Sequence, residues 1–266
     1  MSETVLERLH QSLLLILDEI DRICRKHHIQ YFLDSGTALG AVRHGGFIPW
    51  DDDADVGMLR AEYERFLRVA ADELDPQFFL QTRETDPDFF KFSAKIRLNN
   101  TFFPEERNEG TSVHQGIFVD IFPFDYINDD EKKAISDIKK SRRLYMLWGL
   151  RHRHPQNERF FRKGIRAIMR IIPEDSIERK CIAHFQKYND KPTNTLVSYS
   201  YKMNGYMILY FKRDDMYPST DIQFENRQYM IMNHYDAYLK RMYGDYMQLP
   251  PEEKRKWHFD GDIRFD

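Results

Sequence analysis

Apolar residues recur at three- and four-residue spacing near the start of the chain, at Leu6, Leu9, Leu13, Ile16, Leu17, Ile20 and Cys24. That period follows one face of an α-helix and predicts an amphipathic helix. A second helix is predicted over Glu62 to Leu74, with Tyr63, Phe66, Leu67, Ala70, Ala71 and Leu74 on one face. Between them runs YFLDSGTALGAVRHGGFIPWDDDADVGML. Its glycines and turn formers predict a strand, a turn with a short helix, a loop, and a strand starting near Trp50. Farther on, GIFVDIFPFD is a β-like apolar run ended by Pro123. From Glu131 to Arg170 the pattern is helical, with a basic second half. Tyr229 to Tyr243 is helical again, stopped by Gly244 and the prolines Pro250 and Pro251. With no internal repeat or linker, residues 1–266 read as a single α+β domain: a core over roughly 28–130, then a largely helical part over 131–266.

Composition narrows the classes. The 266 residues are 41% hydrophobic and 14% aromatic, enough for a packed core and against disorder. The 40 Lys and Arg against 43 Asp and Glu give no global field for nucleic acid. The two cysteines, Cys24 and Cys181, make neither a disulfide framework nor a metal set. The opening MSETVLERLHQ lacks a signal-peptide pattern, and no apolar run reaches membrane-spanning length. These features predict a cytoplasmic protein.

The chemistry concentrates in PWDDDADVG. On a strand, Asp51, Asp53 and Asp55 would share a face, with Asp52 on the other. Carboxylates about 4 Å apart repel by roughly 1 kcal/mol in water and about 4 kcal/mol when partly buried. Three on one face therefore call for a divalent cation, and all-oxygen ligands favour Mg²⁺ or Mn²⁺, with Ca²⁺ also compatible. The competing readings are a solvated turn and an EF-hand loop, since Asp51, Asp53, Asp55 and Glu62 hold its first, third, fifth and twelfth positions. The EF-hand fails at Val56, where glycine is needed, and at HGGFIPW, which cannot form the entering helix. Asp120, inside an apolar run, must meet a donor or share a cation. Ser35-Gly36-Thr37 can bring amides and a hydroxyl to a phosphate. Arg43, His44, Lys95 and Arg97 are candidate contacts to a diphosphate.

Three segments together, FLDSGTALGAVRHGGFIPWDDDADVGM, GIFVDIFPFD and YLKRMYGDYMQLPPEEKR, resemble the LicD family of phosphotransferases, with fukutin and fukutin-related protein as distant relatives. The resemblance implies an α+β fold with a nucleotidyltransferase core similar to that of DNA polymerase β, built on a mixed sheet. In that pattern Gly36 and Thr37 match the glycine turn, Asp53 and Asp55 the alternating metal-binding pair, and Asp120 the third ligand. Asp51 would bind metal or orient a partner, and Asp125 would hold the acceptor or serve structurally. Ala38, Ala54 and Asn226 depart from the usual residues without removing a ligand.

The resemblance further implies transfer of a phosphate-linked substituent, phosphocholine first, from a CDP-linked donor such as CDP-choline. The acceptor would be a hydroxyl of a cell-surface glycan or teichoic acid precursor, with CMP released. For the headgroup, Tyr199, Tyr201, Tyr206, Tyr210 and Phe211 offer aromatic faces, against the plainer reading of core packing. The stretch 159–172, with Phe161, Ile165, Ile168 and Ile172 among arginines, fits a basic helix at the inner membrane face, where a lipid-linked glycan acceptor would sit, or a core helix with a charged outer side. The rival activities are NMP transfer from an NTP and, outside enzymes, a calcium-binding or scaffold module.

Overall fold

A computed structural model describes residues 4–105, 111–152, 164–167, 171–199, 209–255 and 262–265. The chain forms two compact units, Met1–Phe124 with Phe211–Asp266, and Asp125–Tyr210.

In the first unit, helix α1 (Val5–Lys26) opens on a capping box. The Glu7 amide donates to Thr4 Oγ1 at 3.2 Å, and the Thr4 amide donates to the Glu7 carboxylate at 2.7 Å. The predicted stripe is buried from Leu9 to Cys24, with Leu6 half-covered. At about 1.5–3 kcal/mol per buried aliphatic side chain, this face holds α1 against α3 and β4.

Strand β1 (Phe32–Leu33) leads into α2 (Ser35–His44), then β2 (Asp55–Leu59) and α3 (Arg60–Glu73). Strands β3 (Phe78–Gln81), β4 (Ala94–Leu98) and β5 (Phe118–Ile127) complete a mixed sheet in the order β1-β2-β5-β4-β3. Only the β2–β5 pair is parallel; β1–β2, β4–β5 and β3–β4 are antiparallel. Strand β7 (Phe211–Lys212) and the short helix α6 (Arg213–Met216) precede the hairpin β8 (Thr220–Phe224) and β9 (Arg227–Ile231), followed by α7 (Tyr235–Tyr243).

The second unit holds the end of β5, helix α4 (Glu131–His152), helix α5 (Glu174–Phe185) and β6 (Thr195–Val197), with β6 antiparallel to Asp125–Ile127. Ile127, Ala134, Ile138 and Val197 form its core.

Several boundaries differ from the sequence reading. Strand β2 begins at Asp55, not near Trp50, because the Asp51 amide closes a turn onto the Ile48 carbonyl at 2.9 Å and the acidic run stays in a loop. Strand β5 does not end at Pro123. The Asp120 amide points to β2, donating to Ala54 O at 3.0 Å, so by alternation the Pro123 nitrogen points the other way. There the β4 pairing has already stopped at Ile121, and no ladder bond is lost. Tyr229 lies in β9, and the helix of that segment starts only at Tyr235. Among the described residues of 131–266, strands β6 to β9 stand beside the helices.

Candidate active site

The parallel register of β2 and β5 sets Asp55 directly opposite Asp120, and the antiparallel register of β5 and β4 sets Asp120 opposite Lys95. Neighbouring strands run about 4.8 Å apart. Asp55, Asp120 and Lys95 therefore form a row across three adjacent strands.

On the β4 side of this row charges are matched. The Lys95 ammonium, fully buried, donates to Asp120 Oδ2 at 3.1 Å and to Glu105 Oε1 at 3.2 Å, above the Phe118 ring. Burial pulls the Lys95 pKa down to about 7; Asp120 and Glu105 pull back up, while Lys91 and Arg97 push further down. Arg97, also fully buried, donates to Gln81 Oε1 at 2.6 Å, to the Gly116 carbonyl at 2.7 Å and to Glu105 Oε2 at 2.6 Å. Burial alone would raise the Glu105 carboxyl, but Lys95, Lys91 and Arg97 overcome it and hold it well below the usual carboxylate range. Of the two expected diphosphate contacts on β4, Lys95 meets Asp120, whereas the guanidinium of Arg97 is taken up inside the protein as a support for Glu105.

On the other side carboxylates crowd together. One oxygen from each of Asp51, Asp52 and Asp53 lies within 4.8 Å of the others. Asp52 thus does not point away, as strand alternation required, because the run is a loop. Burial, and after it Asp53, Asp120, Asp34 and Asp51, raise the Asp55 carboxyl well above its ordinary value. Asp120 Oδ1 is buried without a hydrogen-bond partner, with Lys91 Nζ 3.9 Å away. A cluster of oxygen donors whose charges raise the proton affinity of Asp55, with a buried orphan oxygen on Asp120, fits a hard divalent cation.

Helix α2 abuts this cluster with its N-terminus. Asp34 caps it, accepting from the Ser35 amide at 2.8 Å and from the Tyr238 hydroxyl. Ser35 adopts a left-handed φ of 49°. A Cβ on Gly36 would stand 2.8 Å from Asp51 Oδ2, so glycine is what lets the helix approach. Thr37 Oγ1 accepts from the Asp55 amide at 2.8 Å and so ties α2 to the start of β2. Arg43 and His44 sit in the last turn of α2. Arg43 donates to His44 Nε2 at 3.0 Å and to the Tyr246 carbonyl at 2.9 Å, and burial lowers both their pKa values. Trp50 meets His44 edge-on at 6.0 Å, and the Arg255 guanidinium lies 5.4 Å over its ring.

Other expectations resolve elsewhere. Asp125 belongs to the second unit, buried, where Asn189 Nδ2 donates to Oδ1 at 2.8 Å. Tyr199 and Tyr210 pack against the core of that unit, Tyr199 stacking on Phe185 at 4.7 Å, and Phe211 packs on Tyr238 at 4.6 Å. Core packing thus accounts for them; Tyr201 and Tyr206 lie outside the described residues. So does most of 159–172, of which 164–167 form a helical turn. The helix predicted to reach Arg170 runs to His152 before those residues begin. Among the described residues no helix is long and apolar enough to cross a membrane. Glu62, the twelfth position of an EF-hand, accepts instead from the Gln30 amide at 3.3 Å and pairs with Arg65 at 3.4 Å.

Sequence reasoning passed over Asp34, Glu105, Tyr238 and Tyr243. Tyr243, in the last turn of α7, is partly exposed as a residue; burial of its phenol first, then the charges of Asp34, Asp55, Asp51 and Asp53, raise its pKa. Asp34 carried a signal: an Asp just before Ser-Gly-Thr is a helix N-cap.

This arrangement can be set beside known proteins. The family described as LicD/FKTN/FKRP, nucleotidyltransferase domain, matches residues 28–163, which include β1, α2, β2, β4 and β5. The lipopolysaccharide cholinephosphotransferase LicD of Haemophilus influenzae is 32% identical over 251 residues, 91% of each chain. The ribitol 5-phosphate transferases FKRP of human and mouse are 33% identical over 82 residues, 29% of this chain and 17% of theirs. The match to the family covers every carboxylate of the acidic cluster, and the match to LicD runs nearly end to end: the chain belongs to the LicD/FKTN/FKRP family.

Proposed function

We propose that the protein is a phosphotransferase that moves a phosphate-linked substituent, phosphocholine first, from a CDP-linked donor to a hydroxyl of a cell-surface glycan, releasing CMP. The observation that carries this reading is the crowding of Asp51, Asp52, Asp53, Asp55 and Asp120 at the N-terminus of α2, in a chain 32% identical to a lipopolysaccharide cholinephosphotransferase over 91% of its length. The Asp-x-Asp at the start of β2, with a third Asp on β5, also supports a polymerase β-like core.

Asp53, Asp55 and Asp120 would hold Mg²⁺ or Mn²⁺, with Asp51 and Asp52 beside them. The cation, when bound, supplies charge neutralisation for the diphosphate and the departing CMP. The amides and hydroxyls of Ser35-Gly36-Thr37 face the donor phosphates, and Arg43 and His44 approach from the last turn of α2. The acceptor hydroxyl oxygen forms the new bond to the phosphorus that carries the substituent, and the bond from that phosphorus to CMP breaks. CMP leaves with the electron pair, and Asp51 or Asp120 takes the hydroxyl proton. Positioning and charge do most of the work. A lipid-linked acceptor places the reaction at the inner face of the cytoplasmic membrane, with contact through 159–172.

The test is CMP release from a panel of CDP-linked donors with a glycan acceptor, in Mg²⁺ or Mn²⁺ and in EDTA. Metal-dependent CMP from one donor establishes the class and names the headgroup. Pyrophosphate from an NTP, with no CMP from any donor, moves the assignment to NMP transfer, the second reading, which the family's nucleotidyltransferase description favours. No product of either kind returns the acidic loop to a binding or scaffold role.

A further inference from the structure

Residues Gly45 to Asp51 join α2 to the acidic cluster, and two elements distant in sequence grip this segment from behind. From α1, His10 stacks on Phe47 with ring centroids 4.1 Å apart and planes 8° from parallel. Its Nε2 lies 2.8 Å from the Asp51 carbonyl oxygen. A carbonyl only accepts, so Nε2 carries the hydrogen and donates. From the β8–β9 turn, the Glu225 amide donates to the Gly45 carbonyl at 2.6 Å, and Glu225 Oε1 accepts from the Phe47 amide at 3.1 Å. The fit is close: a Cβ on Gly46 would stand 2.0 Å from Glu225 Oε1. A cavity of about 440 Å³ opens on the outer side of this grip, lined by His10, Phe47 and Glu225 among others. Both α1 and the β8–β9 hairpin lie outside residues 28–163, which the LicD/FKTN/FKRP nucleotidyltransferase domain matches.

A loop carrying three carboxylates whose oxygens lie within 4.8 Å of one another is pushed open by its own charge unless its backbone is tied down. Side-chain hydrogen bonds to that backbone are how a site is kept in binding geometry before the ligand arrives. We propose that His10 is a positioning residue: by donating to the Asp51 carbonyl, it fixes the loop that brings Asp53 to a divalent cation, with Asp51 and Asp52 beside it. This inference rests on the metal reading given above.

The test is Mn²⁺ binding by the full-length protein without donor, followed by electron paramagnetic resonance, for wild type, His10→Phe and His10→Gln. H10F keeps an aromatic ring on Phe47 and lacks the donor; H10Q restores an N–H. H10F is expected to weaken Mn²⁺ binding roughly three- to tenfold, the worth of one hydrogen bond. H10Q should recover most of the affinity. In turnover, the half-saturating metal concentration should rise by the same factor while kcat at saturating metal holds. His10→Leu, equally without a donor, takes the place of H10F if that variant does not fold. Equal Mn²⁺ affinity in wild type and H10F overturns the proposal and leaves the proposed function standing. H10Q as weak as H10F also overturns it, since packing alone would then be at work. A wild type that binds no Mn²⁺ overturns the metal reading and this inference together.

Discussion

On the β4 side of Asp120 the carboxylate of Glu105 faces Lys95, Lys91 and Arg97, whereas on the α2 side the charges that act on Asp55 are other carboxylates. Asp120 stands at the border, one oxygen bonded to Lys95 and the other buried without a hydrogen-bond partner. Burial is similar on both sides, so burial alone does not distinguish scaffold from site. The distinction lies in the sign of the neighbouring charges. Opposite charges hold strands in register on the β4 side, while like charges crowded on the α2 side favour the arrival of a cation.

The sharpest way to break this comparison is to neutralise one carboxylate on each side. Asp55→Asn should lower metal-dependent CMP release by about a thousandfold or more, the scale of several kcal/mol of lost charge stabilisation. In EDTA the same variant should melt higher than wild type, because removing one of several repelling charges gains about 1 kcal/mol or more. Glu105→Gln should do the reverse to the fold. It replaces the anion between buried Lys95 and Arg97 by a neutral amide, while Lys95 keeps Asp120, at a cost of about 3–5 kcal/mol in denaturant melts. If D55N destabilised the metal-free protein and E105Q did not, the two sides would have been assigned the wrong way round.

How much of this the sequence disclosed depends on the distance over which each feature is encoded. The stripe of α1 is periodic within one segment and was legible. So was the identity of Asp53, Asp55 and Asp120 as candidates, because acidic runs and an Asp among apolar residues are locally odd. Their pairing was not, since opposing Asp55 and Asp120 needs a register between strands far apart in the chain. The loop course of Asp51 to Asp53 was missed because alternation arithmetic suits any odd-spaced acids, and the Ile48–Asp51 turn that excludes a strand leaves only Pro49 as a hint. Glu105 stands in FFPEER without a pattern, and only the fold brings it to Lys95 and Arg97. The β8–β9 hairpin did leave a signal: Glu225-Asn226 between apolar runs is a tight turn, and Glu225 adopts a left-handed φ of 53°.

The same contrast has opposite signs against pH. The folded-state value of Asp55 is raised above its ordinary 3.8, so the folded protein holds this proton more tightly than the unfolded chain. In EDTA its contribution to stability therefore falls as pH rises from about 4 through the raised value, then levels off. Glu105 is depressed below its ordinary 4.5, so its contribution is fully present above that pH and is lost as pH falls below it. Lys95, held at about 7 against an ordinary 10.5, adds stability as pH rises between those values. Melts of wild type and D55N in EDTA from about pH 4 to about pH 8 should diverge progressively as pH rises through the raised window, with the gap largest at its upper end. Parallel profiles for the two proteins would break the comparison. Saturating Mn²⁺ should flatten the wild-type decline, because the ion competes with the proton for the same oxygens.

The smallest effect should come from Thr37, which stands on the α2 side and makes an ordinary hydrogen bond there. Its Oγ1 accepts from the Asp55 amide at 2.8 Å, fixing where β2 begins and hence where the Asp55 carboxylate starts from. Thr37→Val keeps the shape and leaves that amide without its acceptor, at a cost of about 1–3 kcal/mol in denaturant melts. Thr37→Ser keeps the hydroxyl and should cost less than about 1 kcal/mol, the loss of one methyl. If the hydroxyl acts only as this tie, T37V shifts stability and the half-saturating metal concentration, while the donor KM at saturating metal stays with wild type. If it also meets the donor phosphates, as proposed, the donor KM rises in T37V and recovers in T37S. Steady-state kinetics at saturating Mn²⁺ separate the two, because the tie acts on the site before donor binds and the phosphate contact acts only after.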